Sequence, residues 1–436
     1  MKKIRFEFII SITCLVILAV FLCLVIAGWF YRRNELRMNQ NTNDSKSFKT
    51  EMVKKYPFTE SNEVKASAKL PMTDKITRKV RGLDSQLNNY LTVYLPGYYQ
   101  MAEAGRKYDQ IMQWDYSYFG EYNAVVRLSD GYLTSYIPEK NISDSVQSVV
   151  SLKKFCDENH ISFVYVQSFY KINALQDSDV YGTLDFSNQN TDKFLNALKE
   201  HQIDYLDLRQ FVSDEKLNQH QLFFRTDHHW LPQTARWVSQ KILQYLSRHY
   251  HFETDISRLD KDKFKETIYP QWFLGSQGKK VTLAQTDPED FTLIYPLYET
   301  DLEINVPSIH YTASGDFSIT YDMSQLDEKD FYSIKPRHTT MYDAYGYGQR
   351  PIIVIHNKQA KNSKKVLLIR DSFGDTALPF LALGMNTIHA LDLRLFTGSL
   401  KQYILSEKPD MVVVMYTPEK LGPVDWTDHT SLFDFR

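Results

Sequence analysis

Apolar and polar positions follow two rhythms along this chain. Runs of consecutive apolar residues stand at 163–166, 352–355, 366–369 and 411–415. Such runs fit strands buried on both faces, as in a parallel sheet. Shorter strand-like stretches lie at 203–208 and 386–391, and the first of the runs extends back to Ile161. Between them, 146–159, 191–201, 233–246 and 400–407 carry the helical period. Strands separated by helices predict βαβ units and an α/β fold with a mainly parallel sheet. Residues 125–133 alternate around Asp130-Gly131, which predicts a hairpin with an Asp-Gly turn.

The rhythm breaks in two regions. From about 252 to 348 the segments are short and interrupted by Pro, Gly and Asp, as at Phe317-Ser318-Ile319-Thr320-Tyr321. This stretch is expected to be a β-rich insertion. At the other end, residues 8–31 are almost wholly apolar and carry no charge. As a helix they would reach about 36 Å, enough to cross a bilayer. The run exceeds a usual signal core and no small-x-small site follows it, so 1–33 is read as an uncleaved transmembrane signal anchor. Arg32, Arg33 and Arg37 nearly balance the basic residues before it, so charge alone scarcely orients it. Residues 34–75 are polar and read as a stalk or linker. The folded domain is then 76–436, opening with two helical stretches in 76–112 broken at Pro96-Gly97.

Charge and cysteine usage narrow the picture. A chain of 436 residues can bury a full-sized core. Its formal charge of −2 gives no electrostatic case for a nucleic-acid partner. Cys14 and Cys23 fall in the first apolar run, which leaves Cys156 without a partner for a disulfide. A large domain does not need one, so an exported location stays open.

Candidate chemistry sits at two element edges. Val366-Leu367-Leu368-Ile369 stops at Arg370-Asp371-Ser372, and a helical pattern follows. Ser372 therefore stands at the carboxyl end of a strand, where open α/β sheets bind ligands. Read alone, it is a helix cap, since Asp and Ser are preferred there. Far upstream, Arg225-Thr226-Asp227-His228-His229-Trp230 precedes a helix near Pro232. Asp227 and His229 are two apart, and a turn can join their side chains. A serine nucleophile needs a base, and the base an orienting carboxylate. The plain alternative is a capping loop with a solvated imidazole. Zinc is another, since His and Asp bind metals, but no further cluster has ligand spacing, so no metal is assigned.

The motifs R-T-D-H-H-W, V-L-L-I-x-D-S-F and Leu391-Asp392-Leu393-Arg394, in this order, resemble the DHHW protein family. That family is similar to the SGNH-hydrolase-like proteins of alginate O-acetylation. The resemblance covers most of 120–436. It implies a circularly permuted, SGNH-hydrolase-like three-layer α/β/α fold in which Asp-x-His precedes Ser. It also implies acetyl transfer to an exported polysaccharide, with the acyl donor supplied by a membrane-bound O-acyltransferase and no cofactor. By position, Ser372 is then the nucleophile, His229 the base and Asp227 the orienter. Backbone N–H groups near Ser372 and Phe373 are expected to hold the oxyanion. The resemblance also tips the catalytic domain to the outside of the cell membrane. This chain departs from the plain G-D-S pattern by placing Arg370 before Asp371.

Further residues carry open readings. Lys171, after the strand ending at Gln167, binds substrate or is a solvated surface lysine, the second being preferred. Arg225 is expected to pair with a carboxylate and stiffen its loop. His228 is assigned to packing or support, and Asp371 to support beside the nucleophile. Asp392 and Arg394 form a buried ion pair or line the site. Asn357 is a candidate oxyanion donor. Trp272, Phe273, Tyr311, Tyr321, Tyr345 and Tyr347 either wall a glycan groove or merely pack a lid.

Overall fold

The computed structural model describes residues 125–326, 329, 340–422 and 432–436, with isolated positions in 51–56 and 101–107. The apolar run at 8–31 lies outside the described residues, as does most of 34–112. Among the described residues no helix is long and apolar enough to cross a membrane. Within the polar segment behind the apolar run, Met52 and Tyr56 are buried, and the Tyr56 ring packs on Tyr403 and Phe396.

In chain order the elements begin with β1 (Val126–Arg127), β2 (Leu133–Thr134), α1 (Ser143–Glu158), β3 (Ser162–Gln167), α2 (Ser187–Glu200), β4 (Tyr205–Asp207), α3 (Leu208–Asp214) and α4 (Pro232–Tyr250). The middle holds β5 (Phe264–Phe273), α5 (Ser276–Val281), β6 (Glu289–Pro296), β7 (Leu302–Val306) and β8 (Tyr311–Gly315). The last part runs β9 (Ile352–Asn357), β10 (Lys365–Arg370), α6 (Phe373–Ala382), β11 (Thr387–Leu391), α7 (Leu400–Glu407) and β12 (Met411–Tyr416).

Eight strands form one sheet in the order β4-β3-β12-β10-β11-β9-β7-β8. The apolar runs are its centre, and their side chains alternate between two cores as strand geometry requires. Val366, Leu368, Met411, Val413 and Met415 face one side, where α4 and α6 pack. Leu367, Ile369, Val412, Val414 and Tyr416 face the other, against α1, α2 and α7. The result is a three-layer α/β/α arrangement.

The expectation of a mainly parallel sheet is corrected to a mixed one. β4, β3, β12, β10 and β11 pair in parallel. β9 joins β11 antiparallel, and β7 and β8 extend the sheet antiparallel beyond it. The interrupted stretch thus supplies strands to the central sheet as well as the separate hairpin β5–β6. Its segment at 317–321 is not a strand but a 3-10 turn, Phe317–Thr320, started by the Asp316 side chain accepting from the Ser318 N–H. The expected first hairpin forms, with Gly131 at φ 90° supplying the turn that other residues rarely adopt.

Candidate active site

The strand–helix junction at Ser372 is built by its neighbours. β10 ends at Arg370 and α6 begins at Phe373. Asp371 is fully buried, and its Oδ1 accepts the Phe373 N–H at 3.0 Å. Its Oδ2 accepts the Thr417 N–H at 2.8 Å and the Thr417 hydroxyl at 2.9 Å, tying the junction to the end of β12. Ser372 makes no capping hydrogen bond, so the cap reading is overturned. Asp371 caps instead, and it takes the Phe373 N–H that had been expected to serve an oxyanion. Arg370, where the plain pattern has Gly, lies wholly inside and is met by Asp375 and by Asp392 at 3.4 Å. Its stem lies over Gly374, where an added Cβ would come within 2.7 Å of it.

The acid–base loop is a closed turn. The Phe223–Trp230 bridge pins its base, and the Phe224 N–H donates to the His229 carbonyl at 3.1 Å. Trp230 packs edge-on against Phe373 with centroids 5.0 Å apart, bringing the loop to the head of α6. There His229 Nε2 lies 2.8 Å from Ser372 Oγ, and His229 Nδ1 lies 2.6 Å from Asp227 Oδ1. Asp227, His229 and Ser372 are each buried, at 2%, 7% and 5% exposure.

The protons of this chain of contacts can be assigned. Burial pushes the Asp227 carboxyl up, but His228, His229 and the N–H groups of His229 and Ser276 override it and hold it well below the usual carboxylate range. An ionised carboxylate only accepts, so Nδ1 of His229 carries the proton toward it. In the neutral ring with its proton on Nδ1, Nε2 offers a lone pair to the Ser372 O–H, the arrangement of a nucleophile with its base.

Support comes from the stretch between α4 and β9. The Ser276 N–H donates to Asp227 Oδ2 at 2.5 Å, and Gly275 passes so close that an added Cβ would meet the Thr226 carbonyl at 2.6 Å. Tyr342 stacks on the His229 ring at 3.9 Å and 16°. Glu289 accepts the N–H groups of Arg225 at 2.7 Å and Thr226 at 2.6 Å. None of Gly275, Ser276, Glu289 or Tyr342 stands out in the sequence, because their partners are distant loops and backbone groups.

Several expectations are corrected. Lys171 is not on the surface but 1% exposed, and its Nζ donates to the carbonyls of Leu133, Phe224 and Asp227. The Arg225 guanidinium meets the Thr286 hydroxyl at 2.8 Å and the Asp287 carbonyl at 2.7 Å, not a carboxylate. Asn357 is no oxyanion donor. It is buried at the far end of α6, donating to the carbonyls of Ala382 and Leu383. Arg394 grips Asp392 with Nε–Oδ1 at 2.9 Å and a second contact at 2.5 Å, the structural pair of the two readings. Phe273, Tyr321 and Tyr345 are fully buried and Tyr347 nearly so, which makes them packing residues; Trp272 and Tyr311 are half-buried.

His228 is half-buried, packs against His229 with the rings tilted by 37° and centroids 3.8 Å apart, and places Nδ1 3.0 Å from Ser276 Oγ. Burial, with the His229 ring beside it, pushes its pKa down to about 3. Among the described residues, Asp227, His228 and His229 have donor atoms within 4.8 Å of one another, a spacing that can hold a cation. Both Asp227 oxygens already accept N–H groups, and Nδ1 of His229 is a donor here. A metal would have to break those bonds, so the donor set fits a hydrogen-bonded base better than a ligand set.

Comparison with known proteins agrees with this architecture. The family described as the SGNH hydrolase-like domain of acetyltransferase AlgX matches residues 173–290, a stretch that holds Asp227 and His229 and ends before Ser372. A search of curated proteins finds no match. PatB1 from Bacillus cereus superposes with a TM-score of 0.56 at 19% identity, over 72% of this chain and 99% of that one. The same protein solved with a sulfonyl adduct gives 0.56 and 19%, over 72% and 98%. A DHHW family protein from Eubacterium siraeum gives 0.50 at 16% identity, over 69% of this chain and 92% of that one. At such identities the likeness carries the fold. The chain has the SGNH hydrolase-like α/β fold, is similar to the DHHW proteins, and over 173–290 resembles the AlgX acetyltransferase family.

Proposed function

We propose that this chain is an SGNH-type O-acetyltransferase that places acetyl groups on hydroxyls of an exported, cell-surface polysaccharide. The observation that carries the reading is the line Ser372 Oγ, His229, Asp227, with contacts of 2.8 and 2.6 Å, in a chain that resembles an acetyltransferase family. His229 Nε2 takes the Ser372 proton as Oγ attacks the acetyl carbonyl of the donor. The tetrahedral adduct collapses, the donor's leaving oxygen takes the proton from His229, and acetyl-Ser372 remains. A sugar hydroxyl then gives its proton to His229 and attacks the acetyl carbon, and Ser372 recovers its proton as the ester leaves. Asp227 keeps the ring oriented and offsets the imidazolium charge. With Phe373 N–H occupied by Asp371, the Ser372 N–H is the one of the two expected backbone donors left for the oxyanion.

The wider setting is part of the same proposal. Residues 8–31 anchor the chain in the cell membrane, with the catalytic domain on the extracytoplasmic side. The acyl donor is handed over by a membrane-bound O-acyltransferase. The apolar run and the polar stretch behind it support this reading. No cofactor and no nucleic acid enter the scheme.

The test is to incubate the full chain with an acetyl-ester donor, with and without oligosaccharides. Acetylated sugar that depends on Ser372 supports the transferase. Acetate release that sugars do not divert makes the chain an esterase using the same residues.

A further inference from the structure

We infer that Lys171 is a positioning residue, which holds the backbone of the acid–base loop and thereby sets the reach from His229 to Ser372. The inference rests on the triad reading given above. Lys171 follows β3 and turns inward beneath the loop. Its Nζ donates at 2.6 Å to Leu133 O, 2.9 Å to Phe224 O and 2.6 Å to Asp227 O. Three carbonyls match the three N–H groups of an ammonium; a neutral amine would turn a lone pair toward one of them. Two of the carbonyls bracket the loop, and the other belongs to β2, whose Leu133 N–H also donates to Arg225 O at 2.8 Å.

The opposite edge of the same backbone is held by an anion. Glu289 accepts the N–H groups of Arg225 and Thr226 and the Thr226 hydroxyl. The loop backbone is thus gripped from two sides: the Phe224 and Asp227 carbonyls meet the buried Lys171 ammonium, and the Arg225 and Thr226 N–H groups meet the half-buried Glu289 carboxylate. Tyr132 and Phe223 flank Nζ with ring centroids at 5.7 Å, which favours the charge. Burial pushes the Lys171 ammonium down to about 7 against the pull of Glu289, Asp227 and Asp130, and pushes the Glu289 carboxyl up. An unmatched lysine would not be kept at such a place, since burying a charge is costly unless it is fully paired. The grip ends on the carbonyl of Asp227 itself, two residues before the base. Sub-ångström slack there moves Nε2 relative to Oγ, and misplacement of about 1 Å costs roughly 10²-fold in rate.

The test uses the full chain and the Lys171→Met variant. The expected result is a kcat lower by roughly 10²-fold with donor KM nearly unchanged. The low-field proton resonance of the His229–Asp227 hydrogen bond should shift or broaden, at a temperature where melting curves show the variant folded. A folded Lys171→Met with wild-type kcat and an unmoved resonance overturns the inference, whatever its melting temperature. If Lys171→Met does not fold, Lys171→Gln takes its place: its shorter amide has two N–H donors for three carbonyls, so kcat should fall by a smaller factor with the resonance still moved, and a folded Gln variant in which neither changes overturns the inference. Turnover that survives Ser372→Ala sinks the triad reading instead, and the resonance still reports on Lys171 by itself.

Discussion

The Asp371 carboxylate accepts the Phe373 N–H at 3.0 Å, so the first turn of α6 is capped by the residue before Ser372 and not by Ser372. The Ser372 hydroxyl is thereby left to His229 alone. Ser372→Ala should keep its melting temperature within the small range of a surface change, because no cap is lost. Acetyl-ester turnover on the same sample should fall by several orders of magnitude. Asp371→Ala should do the reverse in stability, costing about 1–3 kcal/mol through the stranded Phe373 and Thr417 groups. An active Ser372→Ala protein, or an Asp371→Ala protein as stable as the parent, contradicts this division of roles.

The paired histidines separate by geometry. Only His229 reaches both Asp227 and Ser372, while Nδ1 of His228 turns to Ser276. His229→Ala should lose at least the 10²–10⁴-fold that a general base typically contributes, about the whole of measurable turnover. His228→Ala should lose far less and should leave the His229 contacts in place. Steady-state rates of the two variants decide it. The opposite order of effects refutes the assignment, and equal total loss with a rescue by added metal would point to a ligand set.

How much of this was legible in the sequence follows from the range of each interaction. The central strands were readable because a strand covered on both faces must be apolar at successive positions, as at Val366 to Ile369. Asp227, His229 and Ser372 were readable as motifs at element edges, although 143 positions separate the base from the serine. The place of Lys171 was not readable, because its partners are carbonyl groups, which every residue carries. The addition of β7 and β8 to the main sheet was equally hidden, since strand pairing across long connections leaves no local mark. Asn357 looked like a donor near the site, and only the antiparallel direction of β9 puts it at the far edge.

Gly275 offers a test of the bracing by α5. An added Cβ there would press on Asp227, lying 2.6 Å from the Thr226 carbonyl and 2.7 Å from Asp227 Cα. Backbone atoms cannot swing aside, so Gly275→Ala should cost about 1–3 kcal/mol as an overpacked site. It should also weaken the Ser276 N–H bond to Asp227 and lower kcat. Thermal melts and kinetics on one preparation check both, and an Ala variant unchanged in both respects removes α5 from the site's support.

Membrane topology is tested independently of chemistry. If residues 8–31 anchor the chain with its domain outside, protease added to intact spheroplasts should digest residues beyond about 40, and the chain should pellet with membranes. Protection in intact cells, with digestion only after lysis, would reverse the orientation.

A pH effect is expected at His220, which ties the first hairpin to the approach of the acid–base loop. Its Nδ1 lies 2.6 Å from Asp130 in the hairpin turn, and its Nε2 lies 2.9 Å from the buried Asp177. Burial alone would lower its pKa, but the bonds to Asp177 and Asp130 and their charges outweigh it, and the imidazolium is favoured. A histidine whose folded pKa is raised stabilises the fold fully below its unfolded value of about 6.5. That contribution fades as pH climbs through the raised folded value. The melting-temperature gap between the parent and His220→Gln should therefore be widest near pH 6 and shrink toward pH 9. Protection of the amides at 126–134, taken relative to their intrinsic exchange at each pH, should fall over the same window in the parent, since Asp130 in the hairpin turn contacts His220. A gap that is flat or grows with pH would mean that His220 sits between the carboxylates as a neutral ring.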